Sequence, residues 1–217
     1  MTDYASEFNT KRIVYIPNAL DIDTVNKLND EIHSLTIEGK GMSDDQCPKS
    51  HSFYNPPKCK QALSKMVGPL SKLLNIDLDY SYCYARLYLP GEVLKPHIDR
   101  ESCEISATMT LGYHGPDVWP IYMGNHSEDT KGNKINIGIG DMLMYRGTEL
   151  RHWREKFQGV WQTQLFFHFV DKNGPYIEHA QDRKVVVIGG DSIEIDGEDY
   201  RQKWNQLTKS RTSTPNN

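Results

Sequence analysis

The sequence predicts a mainly β domain with flanking helices, a sandwich or jelly roll, on three observations. Hydrophobic spacing switches from a helical period to a period of two near residue 78. Beyond that point, about seven short apolar runs are separated by Gly, Pro, Asn and Asp turns. Before it, two helical stretches each carry one apolar face that can cover a sheet.

Residues 11–16 (KRIVYI) read as a strand ended by Pro17-Asn18. Asp21 to Thr24 supplies a helix start, and Val25, Leu28, Ile32 and Leu35 then recur at helical spacing. Residues 39–60 are polar and rich in Gly, Pro, Ser and Asp, so they read as one long loop, of the kind that is functional or mobile. A second helix is predicted over 59–74, with Leu63, Met66, Val67, Leu70 and Leu74 on its core face. From Leu78 onward, Tyr82, Tyr84, Arg86 and Tyr88 alternate with Cys83, Ala85, Leu87 and Leu89 across the two faces of a strand. Pro90-Gly91 turns the chain, and 97–99 opens a new extended segment. Further strands are expected at 106–113, 119–123, 135–139, 142–145, 149–154 and 160–170, with the polar stretch 125–133 as a loop. After Gly174 come a β-like VVVI at 185–188, a Gly189-Gly190-Asp191 turn, and Ile193-Glu194-Ile195. The expected organisation is one domain over 1–208: helical support at 1–77, jelly-roll core at 78–170 and a C-terminal extension at 171–208. Residues 209–217 (KSRTSTPNN) read as a disordered tail.

At 217 residues the chain is long enough for one core that buries roughly 70% of its unfolded surface without staples. A formal net charge of −4 argues against nucleic acid as a partner. Cys47, Cys59, Cys83 and Cys103 form no C-x-x-C pair, which removes zinc-ribbon and thioredoxin readings and leaves free thiols in a reducing compartment. The N-terminal residues lack the apolar run of a signal peptide, and no stretch of about 18 apolar residues occurs, so a cytoplasmic location away from membranes is expected. Nothing in the sequence bears on oligomeric state.

The chemistry-bearing signal is His97-Ile98-Asp99, followed 53 residues after Asp99 by His152. On a strand, residues i and i+2 share a face, so His97 and Asp99 converge on one point. Two imidazoles and a carboxylate with three positions left open suit non-heme Fe(II), which must bind O2 and a co-substrate. Among the other histidines, His33, His114 and His126 read as solvent-facing or locally bonded, and His51 carries no assignment. His168, inside FFHFV, reads as a satisfied core histidine and is the next ligand in line after His152.

The segment Tyr88-Leu89-Pro90-Gly91 through His97-Ile98-Asp99 resembles the Y-x-x-G…H-x-D segment of prolyl-hydroxylase-type enzymes. These belong to the Fe(II)/2-oxoglutarate-dependent oxygenases. Gly140-Asp141-Met142-Leu143-Met144-Tyr145 is similar to the turn and strand preceding that family's distal histidine, whose position His152 takes. The resemblance runs weakly over 12–170 and most specifically over 84–170. It implies a double-stranded β-helix (a distorted jelly roll) with Fe(II) on His97, Asp99 and His152. It also implies 2-oxoglutarate as co-substrate, and oxidative decarboxylation by O2 coupled to hydroxylation of a substrate C–H bond.

The chain departs from the family at the co-substrate's distal carboxylate. The family's basic residue, nine or ten positions after the distal histidine, is replaced by Trp161 and Gln162. A dianion in a half-buried pocket still needs a cation, preferably a guanidinium. Arg154, on the strand face of His152, is the first candidate, and Arg86, on the Tyr84/Tyr88 face, is the second. Arg86 also suits a structural cation–π role. Tyr88 matches a tyrosine that hydrogen-bonds 2-oxoglutarate in the family. The implied substrate is a prolyl residue of a peptide or protein, or a small amino-acid-type molecule, with residues 39–60 and Trp119 to Tyr122 as the substrate-facing parts. Two rivals use the same three ligands without redox turnover: a metal-binding jelly-roll module, and a cupin-like isomerase or hydrolase.

Overall fold

The computed structural model describes residues 3–182, 184–188 and 191–195, the last two segments as backbone. In chain order the elements are α1 (Tyr4–Lys11), β1 (Ile13–Ile16), α2 (Ile22–Ile37), β2 (His51–Tyr54), α3 (Pro57–Leu74), β3 (Leu78–Tyr88) and β4 (Leu94–His97). Then follow β5 (Ile105–His114), β6 (Ile121–Met123), β7 (Asn133–Ile135), β8 (Met142–Arg146), β9 (His152–Arg154), β10 (Trp161–Asp171), β11 (Lys184–Ile188) and β12 (Asp191–Ile195). Six strands form a sheet in the order β1-β8-β5-β10-β3-β2, four form a second in the order β4-β9-β6-β7, and β11 pairs with β12. Every strand pair is antiparallel. The fold is the expected jelly roll with flanking helices.

Alternation along the strands of the large sheet sorts side chains into two environments. Cys83, Ala85 and Leu87 of β3, Ala107 and Met109 of β5, and Leu165 and Phe167 of β10 join one core cluster with Val25, Leu28, Ile32, Leu63, Leu70 and Leu74 of the helices. Burial of this apolar layer, at about 25 cal/mol per Å², holds the helices against the sheet. The alternate positions are polar though buried: Ser106, Thr108, Thr110, Gln162 and Gln164. They are satisfied by one another or by neighbouring residues, with Gln164 Nε2 donating to Thr108 Oγ1 at 2.7 Å, Gln162 Nε2 to Gln164 Oε1 at 3.0 Å and Ser106 Oγ to Asp99 Oδ2 at 2.8 Å. A core of this kind is tolerable only because its donors and acceptors are paired.

Several boundaries differ from the sequence reading. Helix α1 was not anticipated, since its single buried residue, Phe8, creates no periodicity; Asp3 caps it by accepting from Ser6 N at 3.0 Å. The stretch expected as one loop over 39–60 contains β2, an edge strand on β3. Ser52 and Phe53 are both buried there, so the period of two is hidden. Strand β7 lies at Asn133–Ile135 rather than 135–139, because a polar Asn-Lys edge pairs with β6 in the register Ile121↔Ile135. Strand β4 precedes the H-x-D pair and ends at His97 instead of opening there. The tail expected at 209–217 and the end of the C-terminal extension lie outside the described residues.

Helix α3 begins at a proline pair with no side-chain cap of its own. The buried carboxylate of Glu31 on α2 supplies the missing acceptor, taking Lys58 N–H at 2.9 Å and Cys59 N–H at 3.2 Å. A carboxylate at a helix N-terminus is stabilised by both hydrogen bonds and the helix dipole. Glu31→Ala is therefore expected to lower stability by about 1–3 kcal/mol, and Glu31→Gln by less. Urea denaturation followed by circular dichroism measures both.

Candidate metal centre

The end of β4 and the start of β9 are neighbours, with His97 opposite His152 in the register. Their rings lie 4.3 Å apart between centroids. Each imidazole has its Nδ1 against a backbone carbonyl two residues back, Lys95 O at 2.8 Å and Leu150 O at 2.9 Å. A carbonyl only accepts, so Nδ1 carries the hydrogen and Nε2 is the bare nitrogen in both rings. The two Nε2 atoms converge on one oxygen, Asp99 Oδ1, at 3.7 Å from His97 and 3.4 Å from His152. One ligand atom from each of His97, Asp99 and His152 lies within 4.8 Å of the others, an arrangement that could hold a metal ion.

Asp99 reaches this point from beyond the strand. Its N–H donates to Gly147 O at 2.8 Å, and its Oδ2 accepts from Ser106 Oγ at 2.8 Å. Gly147 is required for this approach: a Cβ there would stand 2.5 Å from Asp99 Oδ2 and 2.3 Å from Cys103 O. Burial opposes ionisation of Asp99, but the adjacent His152, its hydrogen bond and Ser106 outweigh burial and hold the carboxyl down at about 2. Burial also works against a charge on His152, yet Asp99 carries its pKa above the ordinary value. His97 moves the other way, lowered by burial and then by His152.

The three candidate ligands open onto a cavity of about 460 Å³ whose wall includes Tyr82, Tyr84, Arg86, Tyr88, Phe166 and His168. Asp44, Asp45 and Gln46 from the stretch at 39–60, and Ile121 from the Trp119-to-Tyr122 segment, also reach this wall. His51 does not line it.

The two candidate cations stand differently. Arg86 lies on the wall with its nitrogens engaged: it pairs with Asp44, donates from Nε to Ser52 Oγ at 3.1 Å and from Nη1 to Tyr88 OH at 3.2 Å. It also lies 5.2 Å and 5.3 Å from the ring centroids of Tyr84 and Tyr88, the cation–π setting expected from the sequence. Arg154 is buried, 5.2 Å from the Trp119 ring, and is not part of the cavity wall. Its Nη1 donates to Trp119 O, while Nε and Nη2 are buried without a partner. Burial lowers its pKa, against the favourable influence of Tyr88 and Tyr145. Gln162, at the family's basic position, is committed to Trp119 N at 2.7 Å and to Gln164.

Sequence reasoning named His97, Asp99, His152, Tyr88, Arg154 and Arg86; the structure gathers all but Arg154 at the cavity wall, and sequence reasoning missed Ser106, Gly147 and Asp44. Asp44 is the acid that claims Arg86, with Tyr84 OH at 2.7 Å and Ser52 Oγ at 2.9 Å also donating to it. No sequence signal marks these three residues: Gly147 and Asp44 act through contacts between distant segments, and Ser106 reaches Asp99 across an irregular turn of seven residues.

No protein-family model matches the chain, and no curated protein does. Solved structures do match. A prolyl-4-hydroxylase from Pseudomonas putida aligns with a TM-score of 0.64 and 19% identity, over 77% of this chain and 97% of that one. HygX from Streptomyces hygroscopicus, solved with nickel and 2-oxoglutarate, aligns at 0.60 and 13%, over 80% and 88%. SnoN, an α-ketoglutarate-dependent epimerase from nogalamycin biosynthesis, aligns at 0.65 and 11%, over 89% and 92%. The fold is thus similar to the jelly roll of the 2-oxoglutarate/Fe(II) oxygenases, with prolyl hydroxylases among the neighbours.

Gly147→Ala tests the cradle around Asp99. A methyl group there must displace the carboxylate or the backbone, so Co(II) affinity is expected to fall at least about tenfold. Overpacking should cost about 1–3 kcal/mol of stability. A Co(II) titration beside a denaturation curve separates the two effects.

Proposed function

We propose that the protein is an Fe(II)- and 2-oxoglutarate-dependent dioxygenase that hydroxylates a prolyl or other amino-acid-type C–H bond. The observation that carries this reading is the convergence of His97 Nε2, His152 Nε2 and Asp99 Oδ1 at the wall of a cavity. This donor set leaves half of an octahedron open, which suits Fe(II) better than a closed structural site. When bound, iron and 2-oxoglutarate supply the oxidative chemistry, one oxygen atom of O2 going to succinate as CO2 leaves and the other to the substrate.

The chain's own residues hold and orient. Both imidazoles are aimed by their carbonyl-bound Nδ1 atoms, and Asp99 is aimed by Ser106 and Gly147. Arg154 is the residue we assign to the distal carboxylate of 2-oxoglutarate. Its two partnerless buried nitrogens form a cationic donor pair lacking an acceptor, a costly state that a carboxylate relieves. Arg86 is the second candidate, but Asp44 already engages it. Tyr88 OH accepts from Arg86, which leaves its own proton free for a carboxylate oxygen.

The neighbours' descriptions support the reaction class and leave the product open. One is a prolyl-4-hydroxylase and another an epimerase. A small molecule or a peptide is the substrate expected here. Among the described residues no helix is long and apolar enough to cross a membrane.

Anaerobic addition of Fe(II) and then 2-oxoglutarate should produce a weak visible charge-transfer band in the wild type, and none in His97→Ala, Asp99→Ala or His152→Ala. A wild type that binds metal without this band would favour a non-redox jelly-roll module. Arg154→Ala should raise the 2-oxoglutarate KM about 100-fold, equivalent to about 2.7 kcal/mol, with metal binding retained. A comparable rise in Arg86→Ala alone would transfer the assignment to β3.

A further inference from the structure

One oxygen of Asp99 does not face the imidazoles. Oδ2 is turned away and accepts from Ser106 Oγ at 2.8 Å, and the same Oγ lies 2.9 Å from His168 Nδ1 and 3.3 Å from Cys103 O. Ser106 has one proton to give. The ionised carboxylate is the nearest of these acceptors and the only charged one, so the serine proton belongs to Oδ2. A bare Nδ1 would then put two lone pairs 2.9 Å apart, so His168 must carry its hydrogen on Nδ1. Its Nε2 is consequently an acceptor, with no hydrogen-bond partner among the described residues.

The setting of His168 agrees. The ring is buried, which disfavours a charge on it. Tyr82 lies 4.6 Å from the ring, and Phe166 is parallel to it at 6.4 Å. The imidazole therefore stands at the cavity wall in a fixed plane.

We propose that Ser106 and His168 act as a positioning pair for Asp99, holding its carboxylate to the metal by Oδ1 alone and leaving His168 Nε2 as an acceptor for a substrate N–H or O–H. The proposal rests on the oxygenase reading for the metal and goes beyond it in naming what orients the carboxylate and what the substrate must offer. A carboxylate free to rotate could chelate through both oxygens and occupy a position the co-substrate needs. The Ser106 bond prevents this, and His168 keeps the Ser106 proton directed at Oδ2 by donating to Oγ. Asp99, Cys103 and His168 also lie close enough to hold a second ion. However, the Cys103 thiol is engaged with Tyr82 OH at 3.0 Å, and Ser106 already joins the other two.

Two measurements on the full chain test the pair. In Zn(II)-loaded protein labelled with ¹⁵N-histidine, two-bond proton–nitrogen correlations should show His168 protonated at Nδ1 and bare at Nε2. In Co(II) titrations, Ser106→Ala and His168→Leu should weaken binding about 10- to 100-fold and alter the visible spectrum. His168→Asn, whose amide nitrogen can donate from the Nδ1 position, should remain within about threefold of wild type. Circular dichroism establishes that each variant is folded, and where a variant fails to fold, the ¹⁵N-histidine measurement on the unaltered chain decides. Protonation at Nε2, wild-type Co(II) binding by His168→Leu, or a second Co(II) equivalent with a thiolate band would overturn the pair alone. A wild type that binds no Co(II) would remove the oxygenase reading and the pair together.

Discussion

The site depends on a single carboxylate being held where no strand holds it. His97 and His152 are placed by a sheet: they face each other across β4 and β9, and their Nδ1 atoms are tied to local carbonyls. Asp99 lies two residues past the end of β4 and owes its position to β5, through Ser106, and to the turn after β8, through Gly147. Those contacts join the small sheet to the large one at the candidate metal centre. They hold the one carboxylate of the set, whereas the two imidazoles are placed independently of them.

Around that carboxylate the jelly roll tolerates an unusual amount of buried polarity. The inner face of the large sheet carries Ser106, Thr108, Thr110, Gln162, Gln164 and Arg86, and each is satisfied by a neighbour. Arg154, across the cavity on β9 of the small sheet, stands apart from them, with its Nε and Nη2 among the described buried side-chain atoms that have no partner. A desolvated guanidinium with two partnerless nitrogens is destabilising in isolation, whereas the Arg86–Asp44 pair is internally neutral. The contrast separates a cation neutralised within the wall from a buried one whose donors are unmet, and the proposed assignment of Arg154 to the co-substrate carboxylate rests on it.

The helices contribute indirectly. They cover the outer face of the large sheet and supply most of the apolar burial that fixes β3, β5 and β10, the strands that carry the cavity wall. The Glu31 carboxylate ties α2 to the start of α3. The segment before β2 is drawn to the cavity by its acid, Asp44, and secured on its far side where Glu92 accepts Lys49 N–H at 2.6 Å and Ser50 Oγ at 3.2 Å.

Much of this was legible in the sequence, for identifiable reasons. Period-two alternation from Leu78 assigned Tyr82, Tyr84, Arg86 and Tyr88 to one face, because strand geometry leaves side chains no other choice. The H-x-D pair and His152 were readable by residue type and by resemblance, although Asp99 converges with His97 through a turn contact rather than strand alternation. The apolar spacing of 59–74 gave helix α3 nearly to its ends, while the two buried neighbours Ser52 and Phe53 concealed β2. By itself, the sequence pointed to the jelly-roll class and the helical cover through local periodicity, and to the three candidate ligands through residue chemistry together with the family resemblance of their segments. Only the tertiary structure decided that Asp44 neutralises Arg86, that Arg154 is left with unpaired donors, and that Ser106, Gly147 and His168 surround Asp99. Apart from Ser106, seven residues from Asp99 across a turn, those are contacts between segments far apart in the chain, and hydrogen-bond partnership at such separations is set by the packing of the sheets, which no local pattern encodes.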